Sequence, residues 1–488
     1  MPSGEGSKQG WTVLCLLLVA GCGSRTPLAG FGDDGSTGGA GLAPGSGGFG
    51  AGGLPGSGGV PGSGGLVGAG GTPGPLCPPG TYAPDPSGSA CYPWSECSWD
   101  FPEIVPPSST TDRLCAGPQP ARQFGTGNSD EASDVAVDGL GNVYVTGHTY
   151  GDLDGPSHGD ADAFVRKYSP QGALLWGYQD GRPTGDFGLR LALDAVGRLH
   201  VLVTGQYETQ LWLLDLEGTV LSQQALLTGY VDLAVDPSGG RYVTRSFPVS
   251  DGTTDLEVTR LTIDGAVVWT NIVNGGGYEA PSALALLGGG DVIVTGSTDG
   301  SLFQPSASYG DAFVARLSAV DGSLVWGDQF TAGYYQTAPT SLAVDSQDNV
   351  YVAGITWSDV GSVSDGFVVL ATAYGTLEWS LYPSTYAADE FVDIAVGPFD
   401  EATLTGVTSG LLGQYAQGGR DGFAAHILSY GYFGYVDQFG TSEDDFIRGI
   451  AFAPEGAWFV VGSTAGSFPG STPAGGYRDA FVLRVPAF

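Results

Sequence analysis

Carboxylates fall into two registers along the C-terminal three-quarters of this 488-residue chain. One set is Asp162, Glu208, Asp255, Asp311, Asp365, Asp421 and Asp479; the other is Asp130, Asp186, Glu279, Asp389 and Asp445. Acids in such a pattern support three kinds of chemistry. They accept backbone amide hydrogens where a loop meets a strand. They hold Ca²⁺, a hard cation that prefers carboxylate and carbonyl oxygen. As pairs, they supply the acid and base of glycoside cleavage. Recurrence in unit after unit points first to capping of turns, with cation binding as the alternative.

Local clusters are few. Asp152, Asp154, Asp160 and Asp162 form the densest group of acids, and Asp152-Leu153-Asp154-Gly155 resembles part of a calcium loop. Ca²⁺ is the one cofactor to consider. His148 and His158 bracket that stretch and could act with Asp160 as acid–base partners or metal ligands. His200 and His426 fall in strand-like runs and are expected to pack. No HExxH or Walker motif occurs. Nothing selects one carboxylate pair for hydrolysis, so no enzyme is expected. Tyr150, Tyr207, Tyr278, Tyr334 and Tyr335 lie in loops near the acids, where they could stack on sugars or contact a protein, or simply pack.

The elements that carry these residues repeat. Seven units of about 52 residues read as short alternating strands, A to D, joined by Gly-, Asp- and Pro-rich turns. The A strands share Ala136, Ala192, Ala234, Ala285, Ala343, Ala395 and Ala451. In five units a glycine follows eleven residues later: Gly147, Gly296, Gly354, Gly406 and Gly462. The first acidic set opens the C strands; the second precedes the A strands. Trp176, Trp269, Trp326, Trp379 and Tyr435 mark D strands, and Phe164, Phe313, Phe367, Phe423 and Phe481 the C strands. The pattern predicts an all-β, seven-bladed β-propeller. The alanines are expected at the crowded axis and the aromatics between blades.

The last unit ends after strand C. Gln123-Phe124-Gly125, ahead of the first unit, matches Gln438-Phe439-Gly440 at the end of a D strand. Residues near 119–125 should therefore supply strand D of the seventh blade and close the ring. In such a ring the D–A and B–C connections share one face. The long, variable B–C loops make that face the expected binding surface.

The segment QFGTGNSDEASDVAVDGLGNVYVTGHTYGD, followed by DADAFVRKYSPQGALLW, resembles the SBBP family of β-propeller repeats. The resemblance covers roughly residues 120–488, with the second and third units degenerate. It implies a propeller and a secreted or surface location. It implies no reaction, because the family has no shared catalytic residues.

The chain in front of the ring divides into residues 1–21, 22–76 and 77–117, leaving 118–488 for the propeller. Lys8 precedes a short apolar run that ends in Leu18-Val19-Ala20-Gly21-Cys22. The run reads as a signal segment, too short for a stable membrane helix. It resembles the lipobox of bacterial lipoproteins, which implies an acylated Cys22. Gly23 after the cysteine implies, by the same resemblance, the outer membrane, on its periplasmic or cell-surface side. Residues 23–76 are Gly-, Pro- and Ser-rich, a tether of roughly 40 Å root-mean-square reach.

Four cysteines remain together: Cys77, Cys91, Cys97 and Cys115. In an exported chain they read as two disulfides with three possible connectivities. Metal binding is the alternative, but no CxxC pair or nearby histidine supports it. The stretch CPPGTY…CYPWSECSWDFPEIVPPSSTTDRLC resembles the cysteine-rich modules of tumour-necrosis-factor receptors. That resemblance implies Cys77–Cys91 and Cys97–Cys115. The segment is either a spacer or a second binding module.

The 51 acids against 17 bases give a formal net charge of −34, which disfavours nucleic acid, whose phosphates need clustered Lys and Arg. The expectation is a monomeric, lipid-anchored cell-envelope scaffold that binds a protein or polysaccharide. A Ca²⁺-stabilised structural envelope protein and a carbohydrate-active enzyme are the alternatives.

Overall fold

The computed structural model describes residues 121–485, apart from 251, 333–334, 358–362, 383–384, 386, 414–415 and 429. It also describes four short strands nearer the N-terminus: Thr81–Tyr82 pairs with Tyr92–Pro93, and Glu103–Val105 with Leu114–Cys115. Cys22, the tether, Tyr334 and the pairings Cys77–Cys91 and Cys97–Cys115 lie outside the described residues, the backbone of Cys115 excepted. Among the described residues no helix is long and apolar enough to cross a membrane.

Seven four-stranded antiparallel sheets follow one another in sequence. Blade 1 comprises Asp130–Val137, Val143–Thr149, Asp162–Tyr168 and Leu174–Asp180, its strands A to D. Blades 2 to 6 repeat this order over 186–226, 230–273, 279–330, 336–381 and 389–439. Blade 7 takes strands A to C from Asp445–Phe452, Trp458–Thr464 and Asp479–Val485. Its strand D is Arg122–Phe124, in the register Ala480↔Phe124, Phe481↔Gln123, Val482↔Arg122. Blade 6 shows the same register in Gly422↔Phe439 and Phe423↔Gln438. The expected closure is therefore present, and it covers the otherwise open edge of the last C strand.

The hydrophobic core lies between blades. The C-strand phenylalanines Phe164, Phe313, Phe367, Phe423 and Phe481 are all fully buried. Trp176, Trp269 and Trp326 each reach the C–D turn of the next blade. Their indole Nε1 donates to Leu216 O, Ala319 O and Ala373 O at 3.0, 3.1 and 3.1 Å. Each ring also covers a glycine of that turn, Gly218, Gly322 or Gly375, which holds a positive φ. A side chain there would strike the indole, so turn and staple require each other.

The alanine column corrects the expectation. Ala136 packs with Leu199 and Val201 of blade 2, and Ala395 with Ile450 and Val460 of blade 7. The small residue is needed between neighbouring blades rather than at the axis. The physical reason is a bulge. Every A strand shifts register against its B strand three residues before the alanine, as between Ala132 and Asp134 or Phe391 and Asp393. The bulge turns the residue two positions before the alanine toward the axis. It also brings the A-strand backbone against strand B. At Gly147, Gly296, Gly354, Gly406 and Gly462 a Cβ would collide with the carbonyls of Glu131, Ala280, Ala338, Glu390 and Phe446. That close approach is what the glycine column records.

Candidate binding face and axial cavity

The D–A acids sit at the first position of the A strands, except that blade 3 has none and blade 5 has Thr337, the second residue of Gln336–Val344, in the equivalent place. Asp130, Asp186, Glu279, Asp389 and Asp445 are all buried. Each caps the turn before it. Asp130, Asp186, Asp389 and Asp445 accept the amides of Thr126, Arg182, Thr385 and Thr441, each at 2.6 Å. A threonine at the end of strand B adds its hydroxyl: Thr149 to Asp130, Thr298 to Glu279 at 2.9 Å and Thr408 to Asp389 at 2.6 Å. In blade 5 the Thr337 hydroxyl accepts the Ala332 amide at 2.9 Å, so a hydroxyl performs the same cap. Capping, the leading expectation, is what these side chains do with their bonded oxygens.

Asp162, Asp311, Asp365, Asp421 and Asp479 open their C strands, Asp255 is the second residue of its strand, and Glu208 lies just before one. Here the structure reveals a device that sequence reading overlooked. Asp162, Asp311, Asp421 and Asp479 use Oδ2 to accept a B–C loop amide, from His158, Ala307, Gln417 and Ala474 at 2.7–2.9 Å. The same oxygens accept Nε2 of a D-strand glutamine: Gln179, Gln329, Gln438 and Gln123, at 2.7–2.9 Å. Each glutamine also donates to the carbonyl at the start of that loop, Gly151, Gly300, Gly410 or Gly466. Its Oε1 accepts loop amides, among them Leu153, Leu302, Leu412 and Phe468. One Gln–Asp clamp thus pins both ends of a long loop in blades 1, 4, 6 and 7. The signal was available: a glutamine stands three residues after the D-strand aromatic in Trp176, Trp326 and Tyr435.

The acids of the first loop do not converge. Asp154 is ion-paired with Arg166 at 2.6 Å, Asp152 accepts the Ser157 amide at 2.7 Å, and Asp160 is exposed. Among the described residues no three Asp, Glu, His or Cys side chains form a metal-holding group. The calcium-loop reading of Asp152, Asp154, Asp160 and Asp162 is corrected accordingly: Arg166 already neutralises the central carboxylate.

The histidines are likewise apart. His148 packs against Phe187 and Tyr150, at ring separations of 4.8 and 5.7 Å, and burial lowers its pKa to about 4. His158 faces Asp180 at 3.9 Å rather than Asp160. His200 is fully buried and bonded to Asp194 and Arg241 at 3.1 and 3.0 Å; His426 sits half-buried on its strand.

Tyrosines decorate the same face. Tyr207, Tyr309 and Tyr477 are 73%, 77% and 77% exposed, and Tyr150 and Tyr278 are also exposed. Tyr335 is half-buried beneath Tyr309, with ring centroids 5.0 Å apart.

A second concavity lies on the axis. A cavity of about 190 Å³ is lined from all seven A strands, by Asp134, Arg190, Asp232, Ser341, Asp393 and aliphatic neighbours such as Ile450. The charged members occupy the positions re-aimed by the bulges. They tie each blade to another. Asp134 accepts the Leu191 amide at 2.8 Å, Asp232 the Leu284 amide at 2.6 Å and Asp393 the Ile450 amide at 2.9 Å. Arg190 donates to Asp232 at 3.0 Å, and Ser341 to Asp393 at 2.5 Å. Burial pushes the Asp134 carboxyl up to about 7, against the pull of Arg190, and also raises Asp232 and Asp393. None of these was singled out from sequence, because each differs from blade to blade.

The beta-propeller repeat model of the SBBP family matches residues 121–154 and 325–361. Each match runs from a D strand through strands A and B of the next blade, so the sequence repeat straddles two blades. No curated protein matches the chain at a significant level. Among solved structures, virginiamycin B lyase from Staphylococcus aureus is similar at 12% identity over 75% of this chain and 99% of that one, with a TM-score of 0.47. BamB from Moraxella catarrhalis is similar at 14% identity over 72% and 85%, with a TM-score of 0.38. The β-propeller domain of the Trilobed protease from Pyrococcus furiosus is similar at 9% identity over 73% and 96%, with a TM-score of 0.44.

Proposed function

We propose that this chain is a lipid-anchored binding scaffold of the bacterial cell envelope. Its propeller presents the D–A/B–C face to a protein or polysaccharide, and it performs no catalysis. The Gln–Asp clamps carry this reading. They hold long, outward loops in one conformation, which lowers the ordering cost of binding. The exposed tyrosines on that face supply broad, stiff contact area with a polar tip, suited to sugars and to protein surfaces alike. The non-catalytic part is supported by the carboxylates of the face, whose bonded oxygens are committed to backbone amides, and by the separation of the histidines. The anchor rests on the lipobox-like run ending at Cys22. Acylation there, followed by a long flexible tether, would hold the ring near a membrane without fixing its orientation.

Capture from envelope extracts and purified polysaccharides tests the reading, with the full chain compared to a Tyr207→Ser, Tyr309→Ser, Tyr477→Ser triple variant. The expected result is retention of a ligand by the parent chain and its loss in the variant, at an unchanged melting temperature. Turnover of a glycan that disappears on changing one loop-face carboxylate would overturn the non-enzymatic reading. Cys22→Ser should abolish labelling by a fatty-acid analogue, and protease shaving of intact cells would then assign the side of the membrane.

A further inference from the structure

The two acidic sets meet at the blade seams. In blades 1, 2, 6 and 7 the first residue of the A strand donates its amide to the carbonyl just before the preceding blade's C-strand acid. Asp445 donates to Arg420 O at 2.7 Å, and Asp130 to Arg478 O at 2.9 Å. Asp421 therefore stands beside Asp445, and Asp479 beside Asp130. Asp421 and Asp479 are 1% and 3% exposed. Their Oδ2 atoms are engaged by the loop amides and glutamines described above. Their Oδ1 atoms are buried and receive no hydrogen bond. An unpartnered buried carboxylate oxygen is costly, and a facing second carboxylate makes it more so.

The spare oxygens point into a small shared space. A Cβ added to Gly440 would lie 2.8 Å from Asp421 Oδ1 and 2.6 Å from Asp445 Oδ2. A Cβ added to Gly125 would lie 2.8 Å from Asp479 Oδ1 and 2.7 Å from Asp130 Oδ2. No lysine or arginine among the described residues is ion-paired with any of these four carboxylates.

Two other places show how acids at this rim are satisfied within the chain. In blade 2 the guanidinium of Arg182 lies on Asp186 and Glu208, while Asp162 Oδ1 across the seam in blade 1 receives no hydrogen bond. Between blades 4 and 5, Thr337 replaces the second carboxylate, and there the Ser308 hydroxyl donates to Asp311 Oδ1 at 2.5 Å. The oxygen is satisfied within the protein where the second acid is missing. It is left open where the second acid stands, as at Asp162, Asp255, Asp421 and Asp479.

We infer that the seams between blades 6 and 7 and between blades 7 and 1 each bind a divalent cation of the Ca²⁺ type, held by Asp421 with Asp445 and by Asp479 with Asp130. Two carboxylates neutralise one such ion, and Ca²⁺ accepts carboxylates together with neutral oxygens and water in a flexible shell. Thr441 and Thr126, whose hydroxyls lie 3.2 and 3.1 Å from the Asp445 and Asp130 carboxylates, are neutral oxygens at the same places. The inference does not depend on what the loop face binds.

The test uses the full chain, stripped with chelator and then dialysed against radiolabelled Ca²⁺. Asp421→Asn and Asp479→Asn should each remove about one bound ion, and the double variant about two. Asp311→Asn, at a seam without a second acid, should remove none. Ca²⁺ should raise the melting temperature of the parent chain by several degrees and that of the double variant by much less. Should either variant fail to fold, Asp445→Asn and Asp130→Asn read the same seams from the other side. Ca²⁺ uptake that is unchanged in the double variant, or a melting temperature indifferent to Ca²⁺, would overturn the inference and leave a proton or water between the carboxylates.

Discussion

The side-chain amide of Gln123 donates to Asp479 Oδ2 at 2.7 Å, joining the strand that begins the ring to the strand that ends it. Gln123 also accepts the Phe468 amide at 3.1 Å and donates to Gly466 O at 3.0 Å. One side chain thus clamps a loop and latches the closure. Gln123→Ala leaves several buried polar groups unpaired, at about 1–3 kcal/mol each before relaxation. Gln438→Ala removes the same clamp from blade 6, where strand D is continuous with its own blade. Urea unfolding should show Gln123→Ala as the costlier change, and deletion of residues 118–126 as worse still. Equal midpoints for the deletion and the parent chain would refute velcro closure as a source of stability.

Gly406→Ala tests the bulge. Its Cβ would meet the Glu390 carbonyl and the Phe423 ring, neither of which can retreat without moving a blade core. Overpacking of this kind costs about 1–3 kcal/mol. Gly127→Ala, with open space around it, is the matched control and should be neutral. Thermal melts of the two variants side by side decide it.

Trp269→Ala should be among the most damaging single changes in the ring. The side chain is 8% exposed and belongs to the cluster shared by blades 3 and 4. Its loss leaves a cavity under the Gly322 turn and takes one donor from Ala319 O, though Arg260 still donates there at 2.9 Å. A loss of about 3–5 kcal/mol is expected. Trp269→Phe should recover much of it, because packing outweighs the single hydrogen bond.

Asp134 gives the axis a pH signature. Its folded pKa, about 7, lies above the value of about 3.9 expected for the unfolded chain. The folded ring therefore binds more protons between about pH 4 and pH 7. The stability this group contributes is complete below the unfolded pKa and is lost as pH rises through the folded one. Asp393 and Asp232, both also raised, act in the same direction, while Arg190 opposes all three. Asp134→Asn should flatten the fall in urea midpoint between about pH 5 and pH 8. A slope unchanged in the variant would place the proton elsewhere.

Much of this architecture was legible in the residues. Strand alternation and the Trp and Phe columns are local or periodic signals, and each had the packing role its period implied. The closure was legible too, because Gln123-Phe124-Gly125 repeats Gln438-Phe439-Gly440. Ala136 and its equivalents misled about the axis. A bulge is a change of register between two strands, and no single strand's sequence displays it.

What the sequence by itself determined is the repeat: seven blades, their order, and the strand the last must borrow. Periodic burial requires it, since each four-stranded unit exposes two faces that only neighbours can cover. Which residues meet across blades was decided by the tertiary structure alone. Asp421 and Asp445 belong to different blades and read as two separate columns, and Asp134 and Asp393 reach one cavity only because the ring closes. Contacts of that kind arise from the curvature of the whole ring, a quantity no single repeat carries.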